Sequence, residues 1–355
     1  MQKESAWILT LGLLTTHSAK TAHGLIRGSD KYDILAVIDK EELEFQDAGE
    51  LLDKRKRNIP VFGSLESALK NLAKPKYIII GVAMPGGKLP ISMHELIKKA
   101  IQQGIHIING LHEFLSDKRE FRELSIQHKV ELIDIRKPKP REQLKFWSGK
   151  IYDVSCPIVA VLGLDTHTGK RTTCRILEKT CQAHALNAHM IFTGQTGWLQ
   201  SGKYGFVLDT TANDFVSGEL ENAILNCYEN EKPDIIFIEG QSSLRNPSGP
   251  CGSEILISGN AQFVVLVYNP KQEFFDDNPR WGKLPSLESE MALIECYKSK
   301  VIAIALNTSK CTLEEAERYQ KSLQDKLQIP VLLPIEKGVD EMINTLKTII
   351  LNHGK

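Results

Sequence analysis

Residues 163–173 read Gly-Leu-Asp-Thr-His-Thr-Gly-Lys-Arg-Thr-Thr and follow directly on the apolar run Pro157-Ile-Val-Ala-Val-Leu162. A buried strand, a turn ending in Gly-Lys and a helix rich in hydroxyl residues together make a phosphate cradle. The turn's backbone N–H groups and the positive helix end face the anion, and the lysine adds a mobile charge. Cys174, Leu177 and Cys181 continue at helical spacing, as the following helix requires. The candidate anion-binding residues are Gly163, Asp165, Thr166, His167, Thr168, Gly169, Lys170, Arg171, Thr172 and Thr173. An ordinary strand-to-helix turn would use glycine in the same way, but the strand before it and the helix after it favour the cradle.

The turn departs from the standard phosphate-loop motif. Five residues, not four, separate Gly163 from Gly169, and Arg171 stands where a hydroxyl residue should follow the lysine. A metal-facing hydroxyl would then come from Thr172 or Thr173. In Gly163, Asp165, Thr166, Gly169 and Lys170 the turn resembles the longer one of dethiobiotin synthetase-like proteins.

A second buried strand, within Lys232-Pro-Asp-Ile-Ile-Phe-Ile-Glu-Gly-Gln-Ser-Ser-Leu-Arg-Asn-Pro247, ends on a carboxylate. Ligands of open parallel sheets bind beyond the carboxyl ends of the strands. Glu239 should therefore stand beside the cradle, as a magnesium ligand or as a general base if burial raises its pKa. A solvated strand end is the alternative. Gln241, Ser242 and Arg245 offer donors to a carboxylate. Met190-Ile-Phe-Thr-Gly-Gln-Thr-Gly197 runs from a strand into a turn whose Thr193, Gln195 and Thr196 offer donors to an anion. Asp209, after a short apolar run, is a metal, catalytic or substrate candidate, whereas Asp214 either joins it or caps the next helix.

In the first third of the chain, Thr16, His17, Ser18, Lys20 and Thr21 form a polar group at another strand-to-helix turn, and Asp39 closes the next strand. The Gly-x-Gly-x-x-Gly pattern of a dinucleotide site is absent there. His17 and Lys20 are candidates for substrate or anion binding, with Ala83–Pro90 and Asn109–His112 facing the same crevice. A scaffold domain without a ligand fits equally well.

Two sets of alternating elements must position these residues. Strands are expected at Trp7–Leu11, Ile34–Ile38, Tyr77–Val82, His106–Ile108 and Val130–Ile135. Helices are expected near Ser18–Arg27, Glu66–Leu72, Ser92–Gln103 and His112–His128. The second set expects strands at Ile158–Leu162, Met190–Phe192, Ile235–Ile238, Phe263–Val267, Val301–Ala305 and Val331–Leu333. Its helices are expected near Lys170–Leu186, Asp214–Glu229, Glu288–Tyr297, Leu313–Leu327 and Val339–Leu351, with a loop at Pro279–Pro285. Such alternation predicts an α/β protein of two doubly wound parallel-sheet domains, the first Rossmann-like and the second like a P-loop NTPase. The expected domains are 1–135 and 151–355, joined by a basic, proline-bearing linker at 136–150.

With 355 residues the chain has room for both, and 42% hydrophobic and 25% charged residues suit soluble globular cores. Lys+Arg and Asp+Glu each total 44, which argues against a nucleic-acid partner. No apolar run reaches the ~18 residues of a membrane span, and the first residues read as a strand and not as a signal peptide. Seven cysteines without a Cys-x-x-Cys pair point to reduced thiols in a cytoplasm and away from zinc.

Six segments in order, His17–Gly24, Gly81–Gly87, Gly110–Leu115, Gly169–Thr173, Thr193–Gly197 and Glu239–Leu244, resemble one family across nearly the whole chain. It is the P-loop family with a Rossmann-like N-terminal domain that includes D-glutamate N-acetyltransferases. These work beside an N-acetyl-D-glutamate racemase in D-glutamate breakdown. The resemblance implies acetyl-CoA as donor and an acidic amino acid as the small-molecule acceptor. An anion cradle built for ATP can hold the pyrophosphate and ribose phosphate of coenzyme A without hydrolysis. Glu239 is then the base, Lys170 the phosphate partner and Arg245 the substrate-carboxylate partner. One alternative is an ATP-dependent carboxylate-activating ligase or kinase of dethiobiotin synthetase type, with Mg²⁺ on Thr172, Asp209 and Glu239. A non-catalytic nucleotide-binding regulator is another, and a homo-oligomer is compatible with all three.

Overall fold

The computed structural model describes residues 3–83, 87–200 and 203–353, without the side chain of His17. Met84, Pro85 and Gly86, within the glycine-bearing segment at 81–87, lie outside the described residues. The chain divides into two compact units, one of residues 1–139 with 195–203, the other of 140–194 with 204–355.

Among its described residues the first unit carries six strands, β1 (Glu4–Leu9), β2 (Tyr32–Ile38), β3 (Val61–Phe62), β4 (Tyr77–Ile80), β5 (His106–Asn109) and β6 (Leu132–Asp134). Helices α1 (Lys20–Arg27), α2 (Ala48–Asp53), α3 (Leu65–Asn71), α4 (Ile91–Gln102) and α5 (Arg119–His128) alternate with them. The order is β3-β2-β1-β4-β5-β6, all parallel, as in a Rossmann fold. Successive side chains of a strand point to opposite faces, and here both faces are covered. Trp7 and Leu9 join Ile78, Ile97 and Phe121 in one core, while Ala6 and Ile8 join Leu25, Ile79 and Ile108 in the other. That is why β1 reads as an unbroken apolar run from Ala6 to Leu9.

The second unit builds β7 (Ile158–Gly163), α6 (Lys170–Ala183) and β8 (Ala188–Ile191). The next helix, α7 (Gln195–Gln200), belongs to the first unit. The second unit continues with α8 (Asn213–Glu231), β9 (Ile235–Glu239), α9 (Ser253–Ile257), β10 (Phe263–Tyr268) and α10 (Leu287–Cys296). It ends with β11 (Lys300–Leu306), α11 (Leu313–Leu327), β12 (Val331–Leu332) and α12 (Ile343–Asn352). This sheet too is parallel, in the order β12-β11-β10-β7-β9-β8. β7 thus lies inside the sheet between β9 and β10, and the turn at its end opens between the loops that follow those two neighbours.

The elements differ from expectation where local signals are short. The two-residue strand β3 and the helices α2 and α9 carry too few apolar repeats to declare themselves. Thr193–Gly197, expected as a turn, instead enters α7 at Gln195. Asp214 does not cap α8: Ala212 holds the N-cap position, and Asp214 lies in the first turn, where a carboxylate favours the helix dipole. The last helix starts at Ile343 because Asp340–Met342 forms a 3-10 turn.

Candidate functional site

β7 is buried along its length and delivers Gly163 to the turn. A Cβ there would stand 2.5 Å from Thr168 Oγ1 and 3.2 Å from the Val267 carbonyl, so the turn can fold back only over glycine. His167 (φ 52°) and Gly169 (φ 103°) take left-handed backbone and reverse the chain into α6. Among the described residues no side chain caps α6, and no acidic residue sits in its first turn. Its first N–H groups and positive dipole end therefore suit an anion. Lys170 is almost fully buried, and its Nζ donates to the Asp165 carbonyl at 2.5 Å and to Thr168 Oγ1 at 3.4 Å. Thr168 and Thr173 are also buried, Arg171 and Thr172 are half-buried, and His167 is exposed.

Glu239 ends β9 in register with Val161 of β7. Its carboxylate accepts the Thr193 N–H at 3.1 Å, and its carbonyl accepts Thr193 Oγ1 at 2.7 Å. Burial raises the carboxyl's pKa, opposed by Arg171 first, then by the Thr193 N–H and Lys170. The side chain is thus a buried acid within electrostatic reach of two cations of the cradle. Gly240 lets the chain pass, since a Cβ there would meet the Val161 carbonyl at 2.4 Å. Gln241 Nε2 donates to the Thr193 carbonyl at 3.0 Å, and Leu208 N–H to the same oxygen at 3.0 Å. Thr193 therefore joins the end of β9 to the segment carrying Asp209, which is exposed in a 3-10 turn. Ser242 lies in left-handed backbone (φ 42°) with its Oγ buried.

The remaining candidates lie elsewhere. Arg245 is held by α10: its Nε and Nη2 reach Glu290 Oε2 at 2.7 and 2.6 Å, and Nη1 donates to Ser289 Oγ at 3.0 Å. Gln195 and Thr196 are buried in the first unit, where Gln195 Nε2 and Thr196 Oγ1 approach Thr21 Oγ1 at 3.4 and 3.3 Å. Lys20 opens α1 in the same unit. The side chain of His17 lies outside the described residues. Among the described residues, no three His, Cys, Asp or Glu side chains form a group that could hold a metal ion. Among the same residues, no helix is long and apolar enough to cross a membrane.

Several residues around the cradle carry no motif that sequence reasoning could have used. Asn246, Gln272 and the backbone N–H of Asp276 all donate to the Asp165 carboxylate, and Asn307 Nδ2 donates to the Thr168 carbonyl at 2.9 Å. Cys251 donates its thiol proton to Glu254 at 2.7 Å, and burial pushes that thiol's pKa up. Their only signal is position, in loops that follow β9, β10 and β11.

Two family profiles match the chain. The description "Domain of unknown function (DUF1611_C) P-loop domain" matches residues 145–343, and the corresponding Rossmann-like N-terminal description matches 41–138. A D-glutamate N-acetyltransferase of Pseudoalteromonas sp is 30% identical over 277 residues, 76% of this chain and 81% of that protein. One from Tritonibacter scottomollicae is 27% identical over 285 residues, 78% of this chain and 83% of that protein. The crystal structure of a DUF1611 family protein from Anabaena variabilis superposes with a TM-score of 0.89 at 28% identity, covering 98% of this chain and all of that one.

Proposed function

We propose, from the premise that this chain belongs to the DUF1611 family, that it is an N-acetyltransferase moving acetyl from acetyl-CoA to the amine of an acidic amino acid. D-Glutamate is the acceptor that the names of the two relatives suggest. The observation that carries the reading is the buried carboxylate of Glu239 beside Lys170 and Arg171 of the anion cradle. In this reading the start of α6 and Lys170 hold phosphate groups of the donor. Glu239 takes the proton that the attacking amine must lose, a task that a raised carboxyl pKa favours. Thr193 orients Glu239 through two hydrogen bonds. Gln241 and Ser242, which follow Glu239 closely, are assigned to polar groups of the acceptor, and Asp209 to its ammonium. Arg245 we assign to Glu290 and not to the substrate, because its guanidinium is already engaged. Gln195, Thr196, His17 and Lys20 are given no step.

The test is free CoA released when acetyl-CoA and D-glutamate are mixed without ATP, read with a thiol-trapping reagent. No release with any D- or L-amino acid, together with amino-acid-dependent ADP formation, would transfer the reading to an ATP-dependent ligase or kinase. Thr172, Asp209 and Glu239 would then hold Mg²⁺. Saturable ATP binding without either product would make the protein a non-catalytic nucleotide binder.

A further inference from the structure

Asp165 belongs by sequence to the anion cradle, yet a carboxylate is an unexpected group to place against phosphate. Its surroundings explain it. The residue has no exposed surface. Oδ1 accepts Asn246 Nδ2 at 2.6 Å, and Oδ2 accepts both Gln272 Nε2 at 2.5 Å and the Asp276 N–H at 2.6 Å. Asn246 lies in the loop after β9, and Gln272 and Asp276 lie in the loop after β10. These are the two strands that flank β7. The carboxylate thus ties the turn after the inner strand to the loops after both of its neighbours. Asp276 closes the tie a second time, because its own carboxylate accepts Thr166 Oγ1 at 3.0 Å. The backbone of Asp165 has a separate role: its carbonyl receives Lys170 Nζ at 2.5 Å and Thr168 Oγ1 at 3.2 Å.

We infer that Asp165 is a positioning residue: its carboxylate pins the turn to its two neighbouring loops, so that its carbonyl sets where the Lys170 ammonium stands, and it does not touch the ligand. Three donors occupy three of the carboxylate's roughly four acceptor sites, and the side chain, fully buried, presents no open surface to a ligand. The inference rests on reading the turn as an anion cradle.

The polarity of the network supplies the test. In Asp165→Asn the new amide must point its N–H groups at Asn246 or at Gln272 and Asp276, and all of these are donors. At least one buried bond is lost whichever way the amide turns. The double variant D165N/N246D restores the set. Its amide at position 165 would accept from Gln272 and Asp276 and donate to the new carboxylate at position 246. That carboxylate would still accept the Ser248 N–H and hydroxyl, which Asn246 Oδ1 accepts at 2.8 Å each. Acetyl-CoA affinity by calorimetry should fall about 5–100-fold in D165N, the range for a buried donor left unmade, and return to within about threefold in the double variant, a single mended bond. Amide hydrogen exchange over residues 163–173 should rise and return in parallel, and KM for acetyl-CoA should move more than kcat.

Wild-type protein that bound neither acetyl-CoA nor ATP would remove the cradle reading, while hydrogen exchange would still report the pin. Unchanged affinity and exchange in D165N would overturn the inference. So would a double variant with restored exchange but weak binding, because the carboxylate charge itself would then act on the ligand. If D165N alone does not fold, the double variant decides: wild-type affinity supports the pin, and weak binding or failure to fold refutes it.

Discussion

Replacing Glu239 by glutamine should lower activity and raise stability at once. As a general base the carboxylate should contribute ~10²–10⁴-fold to turnover, which is about 2.7–5.5 kcal/mol of barrier. Glutamine keeps an oxygen that can accept the Thr193 N–H at 3.1 Å, so the end of β9 should stay in place and acetyl-CoA affinity should change little. The stability effect follows from the raised folded-state pKa, whose largest cause is burial. A group whose folded pKa lies above its unfolded one gives stability that is complete below the unfolded value. That stability is lost as pH rises through the folded value. Wild type and E239Q should therefore be equally stable in acid. The variant should gain by up to ~1.4 kcal/mol per pH unit across that window and stay ahead above it. The assays are CoA release at saturating substrates, acetyl-CoA titration calorimetry without Mg²⁺, and urea denaturation between pH 4 and 8. An unchanged kcat would remove Glu239 as the base. A variant less stable than wild type at pH 8 would show that Arg171 and Lys170 outweigh burial, and the electrostatic reasoning would fail.

Two further substitutions probe the same unit. Lys170→Ala should weaken acetyl-CoA or nucleotide binding by ~1.5–3 kcal/mol, the scale of a charge-assisted hydrogen bond. The fold should survive, since the Asp165 carbonyl keeps the Thr168 hydroxyl as donor; equal affinities by calorimetry would remove the phosphate role. Arg245→Ala should cost ~1–3 kcal/mol of stability, below the full penalty for breaking a buried pair because Arg245 is itself about one-third exposed. Burial already raises the Glu290 pKa against the pull of Arg245, so the penalty should deepen as pH rises from 5 to 8. A raised KM for the acceptor with unaltered denaturation would return Arg245 to the substrate.

The fold was legible because its inner strands are covered on both faces. Ile158–Leu162, Ile235–Ile238 and Phe263–Val267 are unbroken apolar runs, and the long helices between them repeat at helical spacing. Elements that rest on long-range contacts were not legible. The strand β3 has two residues. The helix α7 reads as a polar turn in sequence, since Gln195 and Thr196 are buried by partners about 175 positions away. The cradle divides in the same way. Glycine and lysine announce themselves, because backbone reversal and a mobile cation need those residue types. Asn246, Gln272 and Asp276 do not, because a donor to a buried carboxylate can come from any amide in reach.

The two chemistries open to such a cradle ask opposite things of Glu239. A carboxylate that holds Mg²⁺ must be ionised, and surroundings that suit it lower its pKa with polar and charged partners. A carboxylate that takes a proton from an ammonium works better as its pKa rises toward the working pH. Around Glu239 burial outweighs Arg171, the Thr193 N–H and Lys170 and raises the carboxyl's pKa, which is the direction the proposed base role asks for. The two cations keep it from becoming inert: they lower its pKa in the empty site, and phosphate bound to Lys170 would neutralise part of that effect. In the proposed reaction, donor binding would then raise the proton affinity of Glu239 at the step that needs a base.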